Sequence, residues 1–174
     1  MAKGLNETVQ LARKMEMDGA RLYADAARKA ASAPAKRLFE SFAADEERHL
    51  GIVESIAKGM GVDVARMPMP RANIRTVFSS AAGSAGGGGE VTADEQEAIR
   101  TALSMEKQSY SLYHGAAAKV KDAAQRSLLE RLASEENEHY EMLQNTREYI
   151  EDNQEWFLFK EWALLTGDMS SLGM

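Results

Sequence analysis

Glu46 and His49 stand three residues apart, Glu136 and His139 repeat that spacing ninety positions later, and a lone glutamate precedes each pair, Glu16 and Glu106 respectively. Residues three apart on a helix share a face, so each Glu-x-x-His unit can present a carboxylate and an imidazole to one ion. Four carboxylates with two neutral imidazoles balance the formal charge of two divalent cations, the make-up of a dinuclear carboxylate centre in a helical bundle. All four glutamates fall in the middle of apolar stripes. There an isolated carboxylate costs several kcal/mol to desolvate unless a cation or a hydrogen-bond network offsets it. One Glu-x-x-His is a weak signal in Glu-rich helices; two, each with a matched upstream glutamate, are a strong one.

The register extends well beyond these positions. Without a gap, residues 9–56 overlay residues 99–146, and Ala12, Met15, Leu22, Tyr23, Ala26, Ala27 and Leu38 meet Ala102, Met105, Leu112, Tyr113, Ala116, Ala117 and Leu128. A duplicated helical hairpin is the economical reading, each copy bringing the same side chains to a common centre. Apolar residues at three-four spacing predict helices over roughly 5–31, 33–58, 93–120 and 123–150. Ser32 with Pro34 punctuates the first pair, Gly59 and Gly61 stop the second helix, Thr92 with Glu95 forms a capping box, and Asp122 with Gln125 can cap in the same way. Short links within each pair make antiparallel hairpins, and residues 60–91, Gly/Ser-rich at 79–89, read as a long crossover. The expected fold class is all-α, a four-helix bundle over residues 1–150, followed by a short fifth helix and tail over 151–174. Trp156, Phe157, Phe159, Trp162, Leu164 and Leu165 give that fifth helix an apolar face, either a cap on the bundle or a surface for a partner or second copy.

The composition of the 174-residue chain narrows the remaining choices. A chain of this length suits one domain that buries about 70% of its unfolded surface. The net charge of -6 is spread over both signs with no concentrated basic face, which argues against nucleic acid. There is no Cys, so disulfides, thiolate metal sites and cysteine nucleophiles are excluded. No signal-peptide pattern and no apolar run of spanning length is present, so no membrane partner and a cytoplasmic location are expected.

Glu16 with Tyr23, Glu46-Glu47-Arg48-His49, Glu106 with Tyr113 and Glu136-Asn137-Glu138-His139 give the chain its resemblance to the ferritin-like di-iron carboxylate proteins, in particular the rubrerythrin-like or erythrin branch. The resemblance implies two iron ions per chain, with Mn/Fe or another divalent pair also compatible with these ligand types. By resemblance, Glu46 and Glu136 would bridge the ions, Glu16 and Glu106 would be terminal, and His49 and His139 would give one nitrogen each. Asp45 and Glu135 would then orient the histidine of the opposite helix, Asp45 holding His139 and Glu135 holding His49, the alternative being ordinary surface carboxylates. Tyr23 and Tyr113 would hydrogen-bond a ligand carboxylate or intercept an oxidising equivalent; plain core tyrosines are the other reading. His114, with Ala24 as its repeat counterpart, reads as a surface histidine.

Two departures from the family pattern qualify the resemblance. Rubrerythrins carry an extra glutamate one turn beyond the terminal ligand of the third helix, where this chain has Ser109. Their usual rubredoxin domain needs paired cysteines, so no rubredoxin-type iron is expected and electrons would come from an external donor protein. Haem is not expected either, because Glu47 stands where bacterioferritin has its haem methionine. The implied activity is an oxidoreductase passing two electrons to hydrogen peroxide or dioxygen, with peroxide preferred. Ferroxidase-type iron storage is the first alternative, and a metal-clamped structural or partner-binding bundle is the second. The Gly-rich crossover argues for a homodimer rather than a closely packed storage shell.

Overall fold

Ser32 stops one helix and starts the next: its hydroxyl accepts the Ala35 amide at 3.2 Å, and Pro34 follows in the first turn, where a missing N–H costs nothing. The computed structural model describes residues 3–58 and 91–153, which form α1 (Lys3–Lys29), α2 (Ala33–Ala57), α3 (Ala93–Ala117) and α4 (Ala123–Asn153). No strand occurs among the described residues. The predicted crossover, apart from Val91, and the predicted fifth helix lie outside them.

Capping decides where three of the helices begin or end. Thr92 and Glu95 make the reciprocal capping box of α3, with Thr92 N–H on Glu95 Oε2 at 2.8 Å and Glu95 N–H on Thr92 Oγ1 at 3.2 Å. The second oxygen of Glu95 accepts the Ala31 amide at 3.0 Å, so α1 ends at Lys29, two residues short of the expected limit. One buried carboxylate therefore ties the α1–α2 reversal to the start of α3. Asp122 accepts the Gln125 amide at 2.8 Å at the head of α4, as its position before that helix predicts. Between the last two helices, Arg126 binds the Val120 carbonyl at 2.9 Å, a hold on the turn that lets α3 close at Ala117 rather than at 120.

Each helix runs antiparallel to the neighbours it touches. Arg13 meets Glu54 across α1 and α2, Tyr23 and Tyr113 reach Glu106 and Glu16 across α1 and α3, and His49 and Asp45 face Glu135 and His139 across α2 and α4. Among the described residues the core has two apolar blocks, one around Tyr23, Leu38, Phe39, Phe42, Ile99 and Leu143, the other around Val9, Ile52, Ile56, Tyr113, Leu128 and Leu132. The ninety-residue shift carries most members of one block onto the other. Between them lies a polar layer that contains all six residues singled out by the repeat. No helix of the described residues is long and apolar enough to cross a membrane.

Candidate metal centre

The inward stripe of each helix reaches the middle of the bundle at a ligand-type residue: Glu16 on α1, Glu46 and His49 on α2, Glu106 on α3, Glu136 and His139 on α4. None of the six is more than 3% exposed. They form two overlapping sets, Glu16, Glu46, His49 and Glu136, and Glu46, Glu106, Glu136 and His139, with the ligand atoms in each set lying within 4.8 Å of one another. Glu46 and Glu136 belong to both. Glu16 Oε2, Glu46 Oε1, Glu106 Oε2 and Glu136 Oε2 are buried without a hydrogen-bond partner among the described residues, and Nδ1 of each histidine faces the same carboxylates, His49 Nδ1 lying 2.9 Å from Glu136 Oε1 and His139 Nδ1 3.4 Å from Glu46 Oε1. Orphaned acceptors at that density are costly in a folded interior, and a pair of divalent cations would satisfy them together. The donor set fits iron or manganese, whose preferred ligands are carboxylate and imidazole.

Electrostatics inside the cluster follow from burial and from the closeness of like charges. Burial pushes the carboxyls of Glu46 and Glu136 well up, and repulsion from neighbouring glutamates adds to it. Burial would lower His49 and His139, but the carboxylates around them raise both well above the ordinary imidazole value. Burial also opposes ionisation of Glu106, yet His139 beside it holds its carboxyl below the usual range. In the absence of metal the cluster therefore retains protons, and these are what a bound cation displaces.

Each histidine is gripped from behind by the opposite helix. His49 Nε2 lies at hydrogen-bond distance, 2.9 Å, from Glu135 Oε2, while His139 Nε2 lies 3.4 Å from Asp45 Oδ2, an ion-pair contact without hydrogen-bond geometry, in the crossed pairing expected for these two carboxylates. A carboxylate can only accept, so the Nε2 proton of His49 points outward, and in both rings Nδ1 faces the cluster. Burial would raise both outer carboxyls, but the histidine and Arg48 beside each hold Asp45 and Glu135 down to about 2. The tyrosines also cross between halves: Tyr23 donates to Glu106 Oε1 and Tyr113 to Glu16 Oε1. Burial and these glutamates raise both phenols well above their ordinary value, which keeps them protonated donors. Tyr110 and His114 stack on each other at an exposed site, so His114 is the surface histidine its repeat counterpart suggests.

Three residues of the site have no role assigned from sequence. Arg48 spans both outer carboxylates, 2.8 Å from Asp45 and 2.6 Å from Glu135. Arg131 adds a second guanidinium to Glu135 from one turn earlier on α4. Phe42 lies against the His139 ring at 4.7 Å between centroids. The repeat replaces these by Glu138, Ser41 and Leu132, so the two halves share ligand types but not surroundings. A signal was present, since Arg48 is three residues after Asp45 and Arg131 four before Glu135, but such spacings are too common in charged helices to single out a pair.

Two antiparallel hairpins enclosing a buried layer of paired carboxylates and imidazoles define a ferritin-like four-helix bundle whose cluster could hold metal. Among protein-family models, that of rubrerythrin matches residues 7–147, and the chain belongs to the rubrerythrin family. Comparison with curated proteins and with solved structures returns no match.

Proposed function

We propose that this protein is a non-haem di-iron oxidoreductase that reduces hydrogen peroxide or dioxygen, peroxide being preferred. The observation that carries the reading is the set of buried ligand atoms without hydrogen-bond partners, shared symmetrically between two overlapping groups in a rubrerythrin-family chain. Glu16 and His49 would serve one ion, Glu106 and His139 the other, and Glu46 and Glu136 both. An iron pair held there supplies the two electrons that cleavage of a peroxide bond consumes.

The chain's own residues prepare the site for that chemistry. Glu135 binds Nε2 of His49 and Asp45 lies 3.4 Å behind Nε2 of His139, so that Nδ1 is the nitrogen each ring offers to the cluster. Tyr23 and Tyr113 occupy one oxygen of Glu106 and Glu16, leaving the other turned to the centre, and they are the phenols best placed to intercept a stray oxidising equivalent. Apolar blocks on both sides exclude bulk water from the reacting region. With no cysteine in the chain, reducing equivalents would come from a separate donor protein, and a homodimer is the expected assembly.

Anaerobic loading with Fe(II), elemental analysis, and an optical titration with peroxide test the proposal. About two irons per chain are expected from the ligand count, with a peroxide-dependent oxo-to-iron absorption band. Glu46→Ala or His139→Ala should abolish peroxide-driven oxidation of the ferrous protein. Undiminished oxidation in either variant overturns the reading.

A further inference from the structure

Gly19 sits at a buried position within the 27 residues of α1, one turn beyond Glu16. Glycine is a poor choice for a helix interior, where it loses backbone freedom and packs nothing. What it provides here is room. A Cβ built on Gly19 would lie 3.0 Å from Glu46 Oε2, 3.2 Å from Cδ and 3.3 Å from Cγ, all tighter than ordinary van der Waals contact. Gly51 and Gly115, by contrast, have nothing within 4 Å of the same built atom. The carboxylate of Glu46 thus lies directly against the bare backbone of α1.

The repeat makes this recess one-sided. Gly19 becomes Ser109 in the second copy, a buried residue that carries a side chain where α1 carries none. The terminal glutamates Glu16 and Glu106 are each held by a tyrosine hydroxyl, whereas Glu46 Oε1 and Glu136 Oε2 have no hydrogen-bond partner among the described residues. Of the two carboxylates common to both ligand sets, Glu46 is the one that packs on the Gly19 backbone.

We propose that Gly19 is a positioning residue whose missing side chain makes the space that the Glu46 carboxylate fills, so that the backbone of α1 sets where this shared carboxylate stands. The inference rests on the reading of Glu46 as a metal ligand.

The test titrates the full chain with Co(II) under anaerobic conditions, comparing wild type, Gly19→Ala and Gly19→Ser, the last importing the residue of the second repeat. Affinity and the visible Co(II) absorption are recorded, and melting is followed on metal-free protein. Both substitutions should weaken Co(II) binding by about tenfold, the scale of a disturbed ligand support, and change the band shape. In metal-free protein, Gly19→Ala should raise Tm in a Glu46→Ala background, where the contact is gone and alanine favours the helix, and raise it less or lower it when Glu46 is present. Unchanged Co(II) affinity and spectrum in Gly19→Ala, or an equal Tm change in both backgrounds, overturns the role of Gly19 while wild-type binding stands. Failure of wild type itself to take up Co(II) overturns the metal-centre reading along with it.

Discussion

Each terminal glutamate is steered by a phenol from the other half of the chain, Tyr23 on Glu106 and Tyr113 on Glu16. Replacing either tyrosine by phenylalanine keeps the ring in its apolar block and removes only the hydroxyl. The expected result is a roughly tenfold loss of metal affinity for each variant, read by competition against a coloured chelator. Glu135 offers a second test because its carboxyl is held down to about 2 against an ordinary value of 4.5. Between those values the unfolded chain binds the proton and the folded chain does not, so this residue's stabilising contribution is full above 4.5 and is lost as pH falls toward 2. The difference in denaturant stability between metal-free wild type and Glu135→Gln should follow that curve; a difference that grows toward acid pH would contradict it. At this scale the six ligand-type residues were legible because a carboxylate in an apolar stripe is conspicuous and the repeat marked each one twice. Gly19 was not, since its meaning lies in a 3.0 Å approach between helices that no spacing along one chain encodes.

The helices are positioned by a few polar clasps as much as by their apolar faces. Glu95 accepts from Thr92 at the α3 cap and from Ala31 at the α1–α2 reversal, so Glu95→Ala removes two bonds at once. A loss of about 1–3 kcal/mol is expected in urea unfolding of the metal-free protein, the range for a lost cap and a buried amide left without its acceptor. Arg48 clasps α2 to α4 through Asp45 and Glu135, two carboxylates with almost no access to water. Removing this guanidinium leaves Glu135 to Arg131 and His49, and Asp45 to His139, so Arg48→Ala should cost roughly 1–3 kcal/mol, with Arg48→Lys recovering only part because an ammonium lacks the planar fork. Helix positions and caps could be read in advance, as Ser32, Thr92 with Glu95, and Asp122 all act where their local signatures place them. The clasps between helices could not, because which arginine meets which carboxylate depends on the rotation of α2 against α4.

In the whole molecule, two apolar blocks flank a layer of charge, and that layer carries its own cost of desolvation. Cations that bind the folded cluster but not the unfolded chain should therefore raise Tm. Free metal at one hundred times its Kd adds about 2.7 kcal/mol, and a chelator should return the melting curve to that of the metal-free protein. A Tm insensitive to Fe(II), Mn(II) and Co(II) alike would count against the cluster as a metal centre. The crossing of contacts bears on how such a chain arises. Tyr23 with Glu106 is the image of Tyr113 with Glu16, and His49 with Glu135 is the image of His139 with Asp45. Two identical hairpins related by a twofold axis would make these same contacts, so a half-length ancestor could have built the centre as a homodimer. Fusion of two such copies releases them from symmetry. A substitution then enters one half alone, and Arg48 with the opposite charge, Glu138, at its repeat position is a difference that a chain bound to pair with itself could never have kept apart.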